Sequence, residues 1–185
     1  RFKKKKNAYE INGMGLNGFE IKKNTIIYAG NSGTLARLIL GLLVKSDKAI
    51  KLTGDKSLSK RDFSRITNPL KHFGVNIKSK KKGLPLEIQG TEFLRPITYI
   101  ENKGSAQCKS TVIFAALHTP GITKIKAKKS RNHTELLCKY LNLPISVKNR
   151  KNYDEIKINK VKNIQPLNYN IPSDISSSAF FIVLT

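Results

Sequence analysis

The stretch GNSGTLARLILGLL, residues 30–43, passes from small and polar residues straight into an apolar helical pattern, and GSAQCKSTVIFAAL, residues 104–117, does the same. Laid side by side, glycine matches glycine, Asn31 meets Ser105, Gly33 meets Gln107 and Leu43 meets Leu117. Each apolar run leads through a short turn into an alternating segment, AIKLT at 49–53 and TKIKA at 123–127. Alternation of this kind marks a half-buried strand, whereas the preceding runs carry the helical period. A second pair follows. KRDFSRITNPLKHFGVNIK, 60–78, lines up with SRNHTELLCKYLNLPISVK, 130–148, placing Arg61 on Arg131 and the strand VNIK on ISVK. LEIQG at 86–90 and DEIKI at 154–158 then add one more strand to each copy. The repeating unit is therefore β-α-β-α-β-β, an α/β chain of the α+β type. Pro69 falls inside the second helix of the first copy and predicts a kink or a shortened first turn there.

PSDISSSAFFIVLT, 172–185, has the look of a third copy's opening, and the residues through FEIKKNTIIYAG look like the closing strands of an earlier one. The chain also opens without Met. The expectation is a fragment cut at both ends.

Composition narrows the classes. A chain of 185 residues with 39% hydrophobic and 8% aromatic side chains has the material for a core. The apolar run at 33–44 is interrupted by Arg37 and is too short for a membrane span. Cys108 and Cys138 are too few for a disulfide framework and lack metal-ligand spacing, so a reducing, cytoplasmic setting is expected, with no metal and no cofactor. The net charge of +23 raises the question of a nucleic-acid partner. The basic residues are mostly lysines scattered over the chain, without the interleaved aromatic platforms that RNA readers use. The charge reads instead as a solvated surface compatible with small anionic guests.

The polar residues ahead of each apolar helix have two uses. Ser32 or Thr34 can cap the helix by accepting from its first free amides. The same bare amides, aligned with the helix dipole, can hold an anion. Asn132 with Glu135 has capping-box spacing at the later helix.

GNSGT, GDKSLSKRDFSR, GSAQCKS, SRNHTE and PSDISSSAFF occur in this order and spacing. Together they resemble the 3-phosphoshikimate 1-carboxyvinyltransferase (EPSP synthase) family over essentially the whole chain. The resemblance implies the enolpyruvyl transferase fold, with three such units in each inside-out, barrel-like globule and the active site in the cleft between globules. Residues 1–169 would be most of the globule that binds shikimate 3-phosphate, and 170–185 a hinge and the start of the other. The implied reaction moves the enolpyruvyl group of phosphoenolpyruvate to the 5-hydroxyl of shikimate 3-phosphate and releases phosphate. The implied partners are these two small molecules, with no nucleic acid, no membrane and a monomeric state.

By the same resemblance, Asn31, Gly33, Thr34, Arg61 and Gln107 correspond to phosphoenolpyruvate-binding positions. Ser105, Ala106, Gln107, Ser130 and Arg131 correspond to shikimate 3-phosphate positions. Ala106 stands where many relatives have a second serine, so only its backbone is expected to contribute. Asp62 replaces a proline and sets a carboxylate beside an anion site. Lys109 is either an added charge or a solvated helix lysine, His133 stands near the sugar-phosphate positions, and Asp174 reads as a helix cap. No visible carboxylate matches a catalytic position, so no catalytic residue is assigned and the 185 residues alone are expected to be inactive. A sister family that acts on a UDP-amino sugar places a reactive cysteine in the loop corresponding to 53–61, where this chain has none.

Overall fold

The computed structural model describes residues 2–16, 19, 21–79 and 81–171. The expected third copy at 172–185, and Asp174 with it, lie outside the described residues.

A hairpin of β1 (Phe2–Lys5) and β2 (Ala8–Ile11) opens the chain, exposed on both faces. The first complete unit then runs β3 (Thr25–Tyr28), α1 (Gly33–Leu42), β4 (Ile50–Thr53), a single turn α2 (Lys56–Ser59), α3 (Ser64–His72), β5 (Asn76–Ser79) and β6 (Leu86–Gln89). The second runs β7 (Thr98–Glu101), α4 (Ala106–His118), β8 (Thr123–Lys128), α5 (His133–Tyr140), β9 (Ile145–Asn149) and β10 (Tyr153–Ile158). Each builds a four-stranded sheet of one topology, β3-β4-β6-β5 and β7-β8-β10-β9. In both, the first pair is parallel across its helical crossover and the other pairings are antiparallel. The β-α-β-α-β-β reading therefore holds, with α2 as an addition inside the first copy. However, TIIY at 25–28, expected among the closing strands of an earlier copy, is instead the opening strand of this one, paired parallel with β4. Among the described residues no sheet closes into a barrel.

Alternation sets which sheet faces are buried. Ile50 and Leu52 of β4, Leu86 and Ile88 of β6, and Ile125 and Ala127 of β8 point inward while their lysine and glutamate neighbours face out. Ala36 and Leu40 of α1 and Ile66 and Leu70 of α3 join this core. α3 continues through Pro69, which is itself buried and lacks the amide to bond the Arg65 carbonyl.

α4 is buried almost all round, as expected for a helix enclosed by other elements. It runs parallel to α1, with Thr34 against Gln107, Arg37 against Thr111, and Gly41 against Thr111 and Phe114. The approach is close: a Cβ on Gly41 would lie 2.4 Å from the Thr111 carbonyl oxygen. Both helices consequently present their N termini at the same end.

The structure refines the match between copies. Gly30 and Gly104 are both left-handed, at φ of +55° and +71°, but Gly30 lies two residues past the end of β3 and Gly104 three past the end of β7. The N-caps, however, are Ser32 and Ser105. Counted from the caps, Asn31 stands opposite Gly104, Gly33 opposite Ala106 and Thr34 opposite Gln107. The pairings of Asn31 with Ser105 and of Gly33 with Gln107 are each corrected by one position.

Candidate functional site

Ser32 accepts from the Leu35 amide at 3.1 Å and Ser105 from the Cys108 amide at 3.3 Å, so both helices are capped by the serine hydroxyl oxygen. Thr34 does not cap; its Oγ1 accepts from Nε2 of Gln107 at 2.8 Å. Capping leaves the amides of the first two helical residues without an intrahelical partner, which is the geometry an anion needs.

Around the start of α1 three cationic or polar groups converge. A Cβ on Gly33 would sit 2.9 Å from Nη1 of Arg61 and 3.5 Å from Nη1 of Arg37. Two guanidinium groups therefore face the bare backbone of this residue. Arg61 lies in the loop between α2 and α3 rather than at a helix start, since Lys60 ends α2 and α3 begins at Ser64. Its Nη2 donates to Oδ1 of Asn31 at 3.4 Å, and Nδ2 of Asn31 donates to Oδ2 of Asp55 at 2.5 Å. Asp55 Oδ1 in turn accepts from the Leu58 amide at 2.7 Å. That amide bond, followed by the one from Asn31, holds the Asp55 carboxyl below the usual carboxylate range. Asn31 thus ties Arg61 to the capped turn α2. Asp62 turns its carboxylate to the Ser64 amide at 2.7 Å, a bond that lowers its pKa and spends its charge on the start of α3.

Arg37 is the residue the sequence reading passed over. Its Nη1 donates to Oε1 of Gln107 at 2.5 Å, and its guanidinium carbon stands 5.7 Å from the centre of the Phe63 ring. The signal was present: one arginine interrupts an otherwise apolar helix, a helical turn after Gly33.

At the start of α4, Gly104, Ser105, Ala106, Gln107, Ser130 and Arg131 line a shallow cavity of about 370 Å³. Oγ of Ser130 is buried without a hydrogen-bond partner. Gln107 belongs to this cavity and, through Arg37 and Thr34, to the first cradle as well. His133 is elsewhere: it lines an apolar cavity of about 470 Å³ with Leu136, Leu137, Tyr140 and Tyr169.

Two expectations are corrected. Lys109 is neither solvated nor aimed at the cavity; it is fully buried and its Nζ pairs with Oε1 of Glu135 at 2.6 Å. Glu135 consequently closes no capping box, and Asn132 makes no side-chain cap bond. The carboxylate turns inward because a buried ammonium needs a counter-charge more than an exposed helix end needs a cap. Cys108 is buried beside them.

Two like-built α/β units whose leading helices lie parallel, and whose capped starts share one glutamine, define a repeat protein with its polar features collected along one rim. A family model for EPSP synthase (3-phosphoshikimate 1-carboxyvinyltransferase) matches residues 1–185, and the chain belongs to that family. A relative of that enzyme name from Streptococcus mutans serotype c is 39% identical over 183 residues, covering 97% of this chain and 42% of the relative. One from Endomicrobium trichonymphae is 41% identical over 157 residues, covering 84% and 36%. The solved EPSP synthase of Acinetobacter baumannii superposes with a TM-score of 0.84 at 35% identity, covering 99% of this chain and 41% of that one. The chain thus spans about two fifths of the length of the relatives it matches. No helix among the described residues is long and apolar enough to cross a membrane.

Proposed function

We propose that this chain supplies the phosphoenolpyruvate loop and the shikimate 3-phosphate cradle of a 3-phosphoshikimate 1-carboxyvinyltransferase, which joins the enolpyruvyl group to the 5-hydroxyl and releases phosphate. The observation that carries the reading is the position of Gln107, bonded to Thr34 and Arg37 on one side and lining the Ser105–Ser130–Arg131 cavity on the other. Two anions that must react need adjacent sites, and one residue shared by both fixes their separation.

On this reading Gly33 gives its amide to phosphoenolpyruvate with no side chain in the way, Thr34 adds a second amide, and Arg61 offers a planar fork to carboxylate or phosphate. Asn31 acts on the same guest through Arg61. Ser105, Ser130 and Arg131 take the phosphate of shikimate 3-phosphate, with the backbone of Ala106. These residues bind and orient; proton transfer is not assigned to them. The protein is expected to work in the cytoplasm as a monomer, without cofactor.

Residues 1–169 are proposed as most of one globule, with 170–185 leading into the other. The face of α5 supports this: Leu136, Leu137 and Tyr140 are exposed, where α3 of the preceding unit packs against α4. A further unit closing with the β1–β2 hairpin would cover that face.

The test is calorimetric titration of the chain with shikimate 3-phosphate, then with phosphoenolpyruvate in its presence. Saturable binding of the first that Gln107→Ala weakens, with loss of the second, is expected. Absence of binding, or binding indifferent to Gln107, Ser105 and Arg131 variants, would overturn the reading.

A further inference from the structure

Glu101 ends β7 with only 3% of its surface exposed, beside a cavity assigned to an anion. A buried carboxylate is costly unless it is paired and hydrogen-bonded, and here it is both. Arg65 of α3 forms an ion pair with Oε1. The same oxygen accepts from the Lys103 amide at 3.3 Å, and Oε2 accepts from the Ser105 amide at 2.9 Å. In the first unit the equivalent cap amide, that of Ser32, bonds to the main-chain carbonyl of Ala29 at 2.9 Å. The second unit has therefore replaced a main-chain acceptor with a charged side chain that also reaches into its neighbour.

The replacement has consequences for what a guest meets. The Ser105 amide is spent on Glu101, and the Ser105 hydroxyl oxygen already accepts from Cys108. What remains for a phosphate is the Ser105 hydroxyl proton together with the amides of Ala106 and Gln107. We propose that Glu101 is a positioning residue for phosphate recognition: it fixes Lys103 to Ser105 so that this donor set faces the cavity. Arg65 shares its charge, which keeps the carboxylate from repelling the guest. Because Arg65 lies four residues after Arg61, in the first turn of the helix that this loop enters, the same ion pair links the loop of the first cradle to the cap of the second.

The inference rests on Ser105 being a ligand for the phosphate of shikimate 3-phosphate, and its test separates the two. Shikimate 3-phosphate and inorganic phosphate are titrated against the wild-type chain and its Glu101→Ala, Glu101→Gln and Glu101→Asp variants, with amide spectra of Ser105 and Lys103 recorded by NMR. Losing the charged acceptor is expected to weaken shikimate 3-phosphate binding about tenfold in Glu101→Ala. Glu101→Gln keeps an oxygen in place and is expected to recover most of that loss, whereas Glu101→Asp keeps the charge but falls short of the amides and does not. Both amide resonances move upfield in the Ala and Asp variants. Wild-type affinity in Glu101→Ala, or better rescue by Asp than by Gln, would overturn the role of Glu101. Failure of the wild-type chain to bind either probe strikes the phosphate site itself and removes the inference with it. If Glu101→Ala does not fold, the order of the Gln and Asp variants decides.

Discussion

The guanidinium of Arg37 donates to the side-chain carbonyl of Gln107 at 2.5 Å, joining the first helix of one unit to the first helix of the next. A charge-assisted bond of this kind is worth about 1.5–3 kcal/mol. Arg37→Met should leave Gln107 free to rotate away from both cradles. We expect at least a tenfold loss of phosphoenolpyruvate affinity in the presence of shikimate 3-phosphate, with the unfolding temperature lowered by several degrees, checked by calorimetry and scanning calorimetry.

Gly33→Ala places a methyl group 2.9 Å from the tip of Arg61. The far end of a flexible side chain gives way cheaply, so the fold should hold while the cradle loses its arginine geometry. The expected outcome is weakened binding of phosphoenolpyruvate and of inhibitors shaped like it, with shikimate 3-phosphate affinity retained. Unchanged affinity for both would contradict the placement of the loop.

Gly41→Ala should behave in the opposite way. Its methyl group meets the Thr111 carbonyl at 2.4 Å, and main chain cannot swing aside. Overpacking of a helix pair typically costs about 1–3 kcal/mol, and this contact belongs at the upper end. Urea unfolding should show the loss without any selective effect on one ligand.

The buried pair Lys109–Glu135 makes a second stability test. Lys109→Met strands a carboxylate in the core and should cost about 3–5 kcal/mol, while adding Glu135→Leu should return much of it. A double mutant no more stable than the single one would show that the pair is not coupled.

His118 ends α4 at 2% exposure, and burial, with Lys45 and Lys160 nearby, pushes its pKa down to about 4 from an ordinary 6.5. A histidine held neutral in the fold contributes stability that is whole above pH 6.5. That contribution falls as the unfolded chain takes up a proton first, and is gone below pH 4. The wild type should therefore lose about 3 kcal/mol more than His118→Gln between pH 7 and pH 4. Denaturant unfolding at the two pH values measures the difference.

The repeat was legible because inward and outward residues alternate in Ile50–Leu52 and Ile125–Ala127, and because small polar residues mark both helix starts. Asn31, Gly33, Arg61, Gln107 and Arg131 were named through the resemblance of their motifs to the family, and those motifs stand out in the sequence because they fall at turns and helix starts. Lys109 and Glu135 could not be read, since each looks like an ordinary helix residue until α4 and α5 are packed together. Arg37 and Glu101 were hidden likewise, their partners lying on other units of the fold. The one-residue slip between copies also needed coordinates. Matching glycine to glycine says nothing of which residue caps the helix.

That slip has an evolutionary meaning. Two modules descended from one ancestor begin with identical corners, and identical corners bind identical molecules. Asn31 gives the first corner a bracket for an arginine where Gly104, at the same place before the second cap, has no side chain, so a change at one position is enough to let duplicated halves diverge towards different guests while the scaffold beneath them stays the same.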